Sequence, residues 1–103
     1  MVEAYSITWS NKASFRLRDI YYWHIENYSK RRANKVKKSI IDMVESILEN
    51  PYKHPICDKL EYENQFIRNA LVYKTYWIVY EIKNRDIFIL QIFHTAMDTQ
   101  DFK

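Results

Sequence analysis

The sequence has no glycine in 103 residues. Every turn that needs a positive φ must therefore use a residue with a Cβ, and Asn and Asp tolerate that best. The absence also excludes a Gly-rich phosphate loop and the nucleotide-binding folds built on one. Cysteine is nearly as scarce. The single Cys57 can form no internal disulfide and no cysteine-based zinc site, and it fits a reducing cytoplasm. The prolines, Pro51 and Pro55, fall in one short stretch and mark a loop there. No apolar run approaches the roughly 20 residues of a membrane span, and Met1-Val2-Glu3-Ala4-Tyr5 lacks the apolar core of a signal peptide. A cytoplasmic location with no membrane partner is expected, and no cofactor or metal.

Apolar residues at 48% and charged residues at 28% describe a chain able to bury a core, rather than a disordered one. Its length suits one domain spanning 1–103. Aromatics reach 17%, led by nine Tyr. The plain reading is strand packing and a thick core. The alternative is stacking on nucleic-acid bases, which needs exposed rings with Arg or Lys between them. A net charge of +3 permits a nucleic-acid or acidic-protein partner without requiring one.

Along the chain, Tyr5, Ile7 and Trp9 alternate onto one face of a short strand over 4–9. Ser10 and Asn11 look like a helix N-cap. From Lys12 to about Tyr28 the steps Ala13, Leu17, Ile20, Tyr21, His24, Tyr28 mark one helix face. Ser29-Lys30-Arg31 reads as a turn. A second helix is predicted from Arg32 to Glu49, burying Ala33, Val36, Ile40, Val44, Ile47 and Leu48, and Asn50-Pro51 ends it. After a loop over 51–64 the period changes. Strands are predicted over 66–72, 76–82 and 87–93, with turns at Lys74-Thr75 and Asn84-Arg85-Asp86. The fold expected is α+β in two layers, β-α-α-β-β-β, an antiparallel helix hairpin packed on an antiparallel sheet that the first strand joins.

That order resembles the RelE/ParE toxin superfamily. Asn11-Lys12-Ala13 opening the first helix and Ile47-Leu48-Glu49-Asn50-Pro51 closing the second are similar to the family's helices. The stretch from Ile67-Arg68 through Lys74 to Tyr76-Trp77-Ile78-Val79-Tyr80 resembles its Arg-led strand, basic turn and Tyr-x-Ile-x-Tyr strand. Ile87 to His94-Thr95 resembles its last strand. The resemblance implies a growth-inhibiting bacterial toxin neutralised by a cognate antitoxin. Its target is either DNA gyrase, as for ParE-like members, or mRNA cut on the ribosome, as for RelE-like ones. A degenerate, non-toxic interaction domain is a further alternative.

Metal-free RNA cleavage needs an acid–base pair and cations for the developing phosphate charge. Arg68, Lys74 and His94, with Tyr73 beside them, are residues of that kind. Against this reading, Trp77 stands where RelE-like nucleases often carry Arg. The tail Ala96–Lys103 also holds Asp98 and Asp101, which would repel phosphate. ParE-like action on gyrase is therefore slightly preferred. The plain readings are a surface Arg68 paired with Glu61 or Glu63, a solvated Lys74, and a strand-end His94 bonded to Asp98 or Asp101. His24 reads as a packed helix residue. Arg31, Lys35 and Lys38 stack at helical spacing and offer a partner-docking stripe, or simply a solvated face.

Overall fold

The alternation of Ile7 and Trp9 produces a short strand, β1 (Ser6–Trp9), with both side chains turned toward the core. A computed structural model describes residues 5–57 and 66–95. Ser10 then caps helix α1 (Asn11–Asn27), its Oγ accepting from the Ala13 N–H at 2.9 Å. The buried side of α1 is Ala13, Ile20 and His24, on the face the spacing predicts.

Helix α2 (Lys30–Glu49) begins two residues before the predicted start. Ser29 is the reason. Its Oγ accepts from the Arg32 N–H at 3.1 Å and its carbonyl from the Ala33 N–H at 3.0 Å. Lys30 and Arg31 thus form the first turn of the helix rather than the connection. Ala33, Val36, Ile40, Val44 and Ile47 are buried, as expected, Leu48 is only half-buried against the core, and the helix stops at Asn50 before Pro51.

Strands β2 (Ile67–Val72), β3 (Tyr76–Lys83) and β4 (Asp86–His94) form the antiparallel meander. The sheet order is β1-β4-β3-β2. β1 joins it as predicted, but parallel to β4, from Ser6↔Asp86 to Trp9↔Ile89, so the sheet is mixed. β3 already occupies one edge of β4 and leaves the other open. The parallel direction brings the end of β1 beside Ile89. There the Ser10 N–H reaches the Ile89 carbonyl at 2.9 Å and Ser10 Oγ the Leu90 carbonyl at 2.8 Å. One residue thus completes the ladder and starts α1.

A bulge opposite Val79/Tyr80 sets the faces of β4. Val79 pairs with Gln91 and Tyr80 with Ile89, which leaves Leu90 extra. Ile89 and Ile92, three apart, consequently both face the helices. The main core lies between that face and the helix pair, with Ile40, Ile47, Ile78, Tyr80, Ile87 and Ile89 fully enclosed. A smaller cluster of Cys57, Ile67, Val79 and Phe93 forms on the opposite face, with Trp77 and Leu90 against it. Part of the outer edge of β2 is covered. The Asn69 N–H bonds the Pro55 carbonyl at 3.0 Å and the Cys57 N–H the Ile67 carbonyl at 2.8 Å.

The turns depart from expectation. Asn84 takes a positive φ of 57°, but so do Tyr73 at 55° and Lys74 at 58°. The β2–β3 turn is therefore centred on Tyr73-Lys74 rather than Lys74-Thr75, and the Thr75 N–H closes it on the Val72 carbonyl at 2.9 Å. Positive φ at both central residues matches the twist of a hairpin. Without glycine, each such residue carries a penalty of about 1–2 kcal/mol. Among the described residues no helix is long and apolar enough to cross a membrane.

Candidate functional site

The end of the sheet at the β2–β3 turn lies against the start of α2, and the two enclose a cleft of about 330 Å³. Its lining runs from His24 on α1 through Arg32, Lys35 and Val36 on α2 to Tyr73, Thr75 and Tyr76. A shallower groove of about 520 Å³ continues from it past Tyr28, Ser29 and Arg31, sharing Arg32 and Lys35.

His24 and Tyr76 form the buried polar element of this site. His24 Nε2 and Tyr76 Oη are 2.9 Å apart, and both residues are at most 4% exposed. Among the described residues His24 Nδ1 has no hydrogen-bond partner. Burial lowers the His24 pKa, and the nearby charges of Arg32 and His94 lower it further. Burial raises the Tyr76 pKa, against the opposing pull of Arg16 and Arg32. Rings surround the pair. Tyr28 stacks on His24 at 5.9 Å, and His94 meets Tyr76 edge-on at 5.3 Å. The Arg32 guanidinium lies over the Tyr28 ring at 4.2 Å.

Of the residues singled out from sequence, His94 and Lys74 lie at this end of the sheet. His94 pairs with Tyr76 across the ladder, and Thr95 Oγ donates to the Lys74 carbonyl at 3.1 Å. Arg68 stands apart. It pairs with Tyr80, roughly 13 Å along the sheet and 10 Å across it from His94 on standard strand spacings. Its guanidinium donates to the His54 carbonyl at 2.6 Å and the Tyr52 carbonyl at 3.4 Å, and lies 5.1 Å from the Tyr52 ring centre. Tyr80 Oη donates to the Pro51 carbonyl at 2.6 Å beside it. Trp77 packs on the opposite sheet face. Glu61, Glu63, Asp98 and Asp101, the acids considered as partners for Arg68 and His94, lie outside the described residues.

Arg31, Lys35 and Lys38 are all exposed on α2. Lys38 is paired with Asp42 at 3.0 Å, whereas Arg31 and Lys35 border the groove. Sequence reasoning missed Arg32 and the pairing of His24 with Tyr76. The available signal was His24 itself, a polar residue on an apolar helix face, where a buried nitrogen needs a partner.

Comparison with known proteins agrees with this architecture. The chromosomal ParDE toxin–antitoxin system from P. aeruginosa contains a similar chain, with a TM-score of 0.74 and 19% identity, covering 89% of this chain and 97% of that one. The YoeB dimer from Staphylococcus aureus is also similar, with a TM-score of 0.56 and 21% identity over 84% of this chain and 92% of that one. Both likenesses are of fold. Among curated proteins none matches the sequence. The family model for the ParE toxin of the type II toxin–antitoxin system, parDE, matches residues 7–99. With nearly the whole chain covered, from β1 past the end of β4, this protein belongs to the ParE toxin family of type II toxin–antitoxin systems.

Proposed function

We propose that this toxin acts on DNA gyrase in the cytoplasm and is held inactive there by a cognate antitoxin. The observation that carries the gyrase reading is the commitment of Arg68 to the Tyr52 and His54 carbonyls, far from His94. A phosphate-stabilising cation and an acid–base group must lie within a few ångströms of one scissile bond. Trp77, half-buried against an apolar cluster, offers no cation to replace Arg68. A second reading, ribosome-dependent cleavage of mRNA, draws on the ring contact of His94 with Tyr76 and on the place of Lys74 at the same end of the sheet, where its carbonyl accepts from Thr95.

For the antitoxin, the basic stripe of Arg31, Lys35 and Lys38 and the part of the β2 edge beyond Asn69 are the proposed docking features. An acidic amphipathic segment, disordered when free, would lay a helix on the first or add a strand to the second. The deciding experiment is induced expression of the chain alone. Growth arrest with inhibited supercoiling by purified gyrase and intact mRNA supports the proposal. Codon-positioned cuts in ribosome-bound mRNA would replace it with the second reading. Unaffected growth would mark a fold that has lost its toxicity.

A further inference from the structure

The aromatic excess divides in two in the fold. Tyr76 and Tyr80 are buried in the core, but Phe15, Tyr22, Trp23 and Tyr28 are each at least half exposed along α1 and its cap. Charge divides as well. Between Asn11 and Lys38 nine Lys and Arg stand against two acids, Asp19 and Glu26, whereas the rest of the chain holds seven against eleven. The basic excess of the whole molecule therefore belongs to one unit, α1 with the first half of α2. There cations and rings interleave. The Arg18 guanidinium lies over the Phe15 ring at 5.1 Å, and Lys37 Nζ over the Tyr21 ring at 5.4 Å. Tyr21 and Tyr22 meet edge-on at 5.5 Å, and Tyr21 Oη donates to Asn34 on α2 at 3.0 Å. Arg18, Tyr21, Tyr22 and Lys37 line a groove of about 300 Å³ between the helices, and neither acid does.

We propose that this outer groove of the helix hairpin binds single-stranded nucleic acid, with the backbone along Arg18 and Lys37 and unpaired bases on the Tyr22 and Phe15 rings. A single strand presents a line of negative charge with flat rings beside it, and the groove presents cations with flat rings beside them. A duplex keeps its base faces inside the stack, so it would meet the cations and leave the rings idle. An acidic protein segment would do the same. Asp19 and Glu26 repel phosphate, which sets the track of the backbone on the side of α1 that faces α2. Every base has a flat face to stack, so the groove would be tolerant of base identity. The cleft at His24 and Tyr76 and the Arg31 and Lys35 stripe lie outside this groove. The inference concerns the chain by itself, so it holds for either target of the toxin.

The test is fluorescence anisotropy of the purified full chain with a short labelled oligothymidylate, a duplex of the same length and polyglutamate, over a range of salt. Saturable binding of the single strand and weaker binding of the other two are expected. Tyr22→Ala and Phe15→Ala should each weaken the single strand by about tenfold, a loss within the range for one stacked base. Arg18→Gln with Lys37→Gln should lower the slope of log affinity against log salt by about 1.4, at about 0.7 for each phosphate contact. Tyr52→Ala is the matched control. Its ring is 51% exposed with the Arg68 guanidinium at the same 5.1 Å, but it lies outside the basic segment, and it should change nothing. Absence of saturable binding of the single strand, or an affinity that both ring variants leave unchanged, overturns the proposal. A duplex bound as tightly as the single strand also overturns it and leaves a surface that attracts by charge alone. Polyglutamate bound as tightly overturns it and assigns the groove to an acidic protein. None of these readouts measures growth or gyrase, so failure here is distinct from failure of the toxin reading.

Discussion

Arg68 shows how a residue can look chemical in sequence and act as a fastener in the fold. An Arg opening a strand beside a basic turn has the composition of a phosphate site. In the fold its planar guanidinium reaches two carbonyls, those of Tyr52 and His54, and clasps the segment after α2 to the edge strand. A lysine could reach one of them but not bridge both. Arg68→Ala is therefore expected to lower stability by about 1–2 kcal/mol, the scale of a hydrogen bond from a charged donor. Arg68→Lys should restore only part of that loss. Urea denaturation of both variants checks it. Any fall in toxicity should follow the fraction folded. A clean loss of activity at unchanged stability would return Arg68 to the list of acting residues.

Two serines start the two helices, and they differ in what else they hold. Ser29 caps α2 alone, whereas Ser10 caps α1 and also bonds to the Leu90 carbonyl. Ser29→Ala should cost about 1 kcal/mol. Ser10→Ala should cost about 1 kcal/mol more, because a second hydrogen bond goes with the cap. Thermal or urea unfolding measures the difference, and equal losses would mean the Leu90 bond contributes nothing. At the same level, Arg31→Glu with Lys35→Glu should slow association with the antitoxin markedly at low salt and much less at high salt, since exposed charges are screened. A rate unchanged at low salt would leave the stripe a solvated face. The elements themselves were readable from sequence because period and buried face coincide, from Ala13 to His24 and from Ala33 to Ile47. The start of α2 was not. Lys-Arg-Arg resembles a surface turn, and only the Ser29 cap shows that the helix has begun. The direction of β1 was equally hidden, because four alternating residues carry no mark of which way their neighbour runs. The His24–Tyr76 pair joins positions 52 apart in the chain, a distance no local pattern spans.

For the molecule as a whole, buried titratable rings set a pH window. The pKa values of His24 and His54 lie below their ordinary 6.5, in both cases chiefly through burial, with Arg32 and His94 adding to the first and Lys53 and Arg68 to the second. Between the lowered folded value and 6.5 the unfolded chain binds more protons, so stability present above 6.5 is lost as pH falls through that interval. Tyr76 and Tyr80 are both raised above 10.0, again chiefly by burial, so the unfolded chain ionises first and stability falls above pH 10. The urea midpoint should therefore drop between pH 7.5 and 5, and His24→Gln combined with His54→Gln should flatten that limb. An unchanged slope in the double variant would locate the acid sensitivity elsewhere. The parallel seam between the first and last strands carries a different consequence, one of timing. Ser6 Oγ bonds Asp86 and Ser10 Oγ bonds Leu90, each across 80 residues, so β1 and the start of α1 lack their partners until β4 exists. Contacts this distant in sequence form late and slowly. A nascent chain on the ribosome can form its helices but cannot close its sheet until the last strand clears the exit tunnel. A chain built this way keeps the seam beside β4 open, and its first strand unpartnered, until β4 has been made.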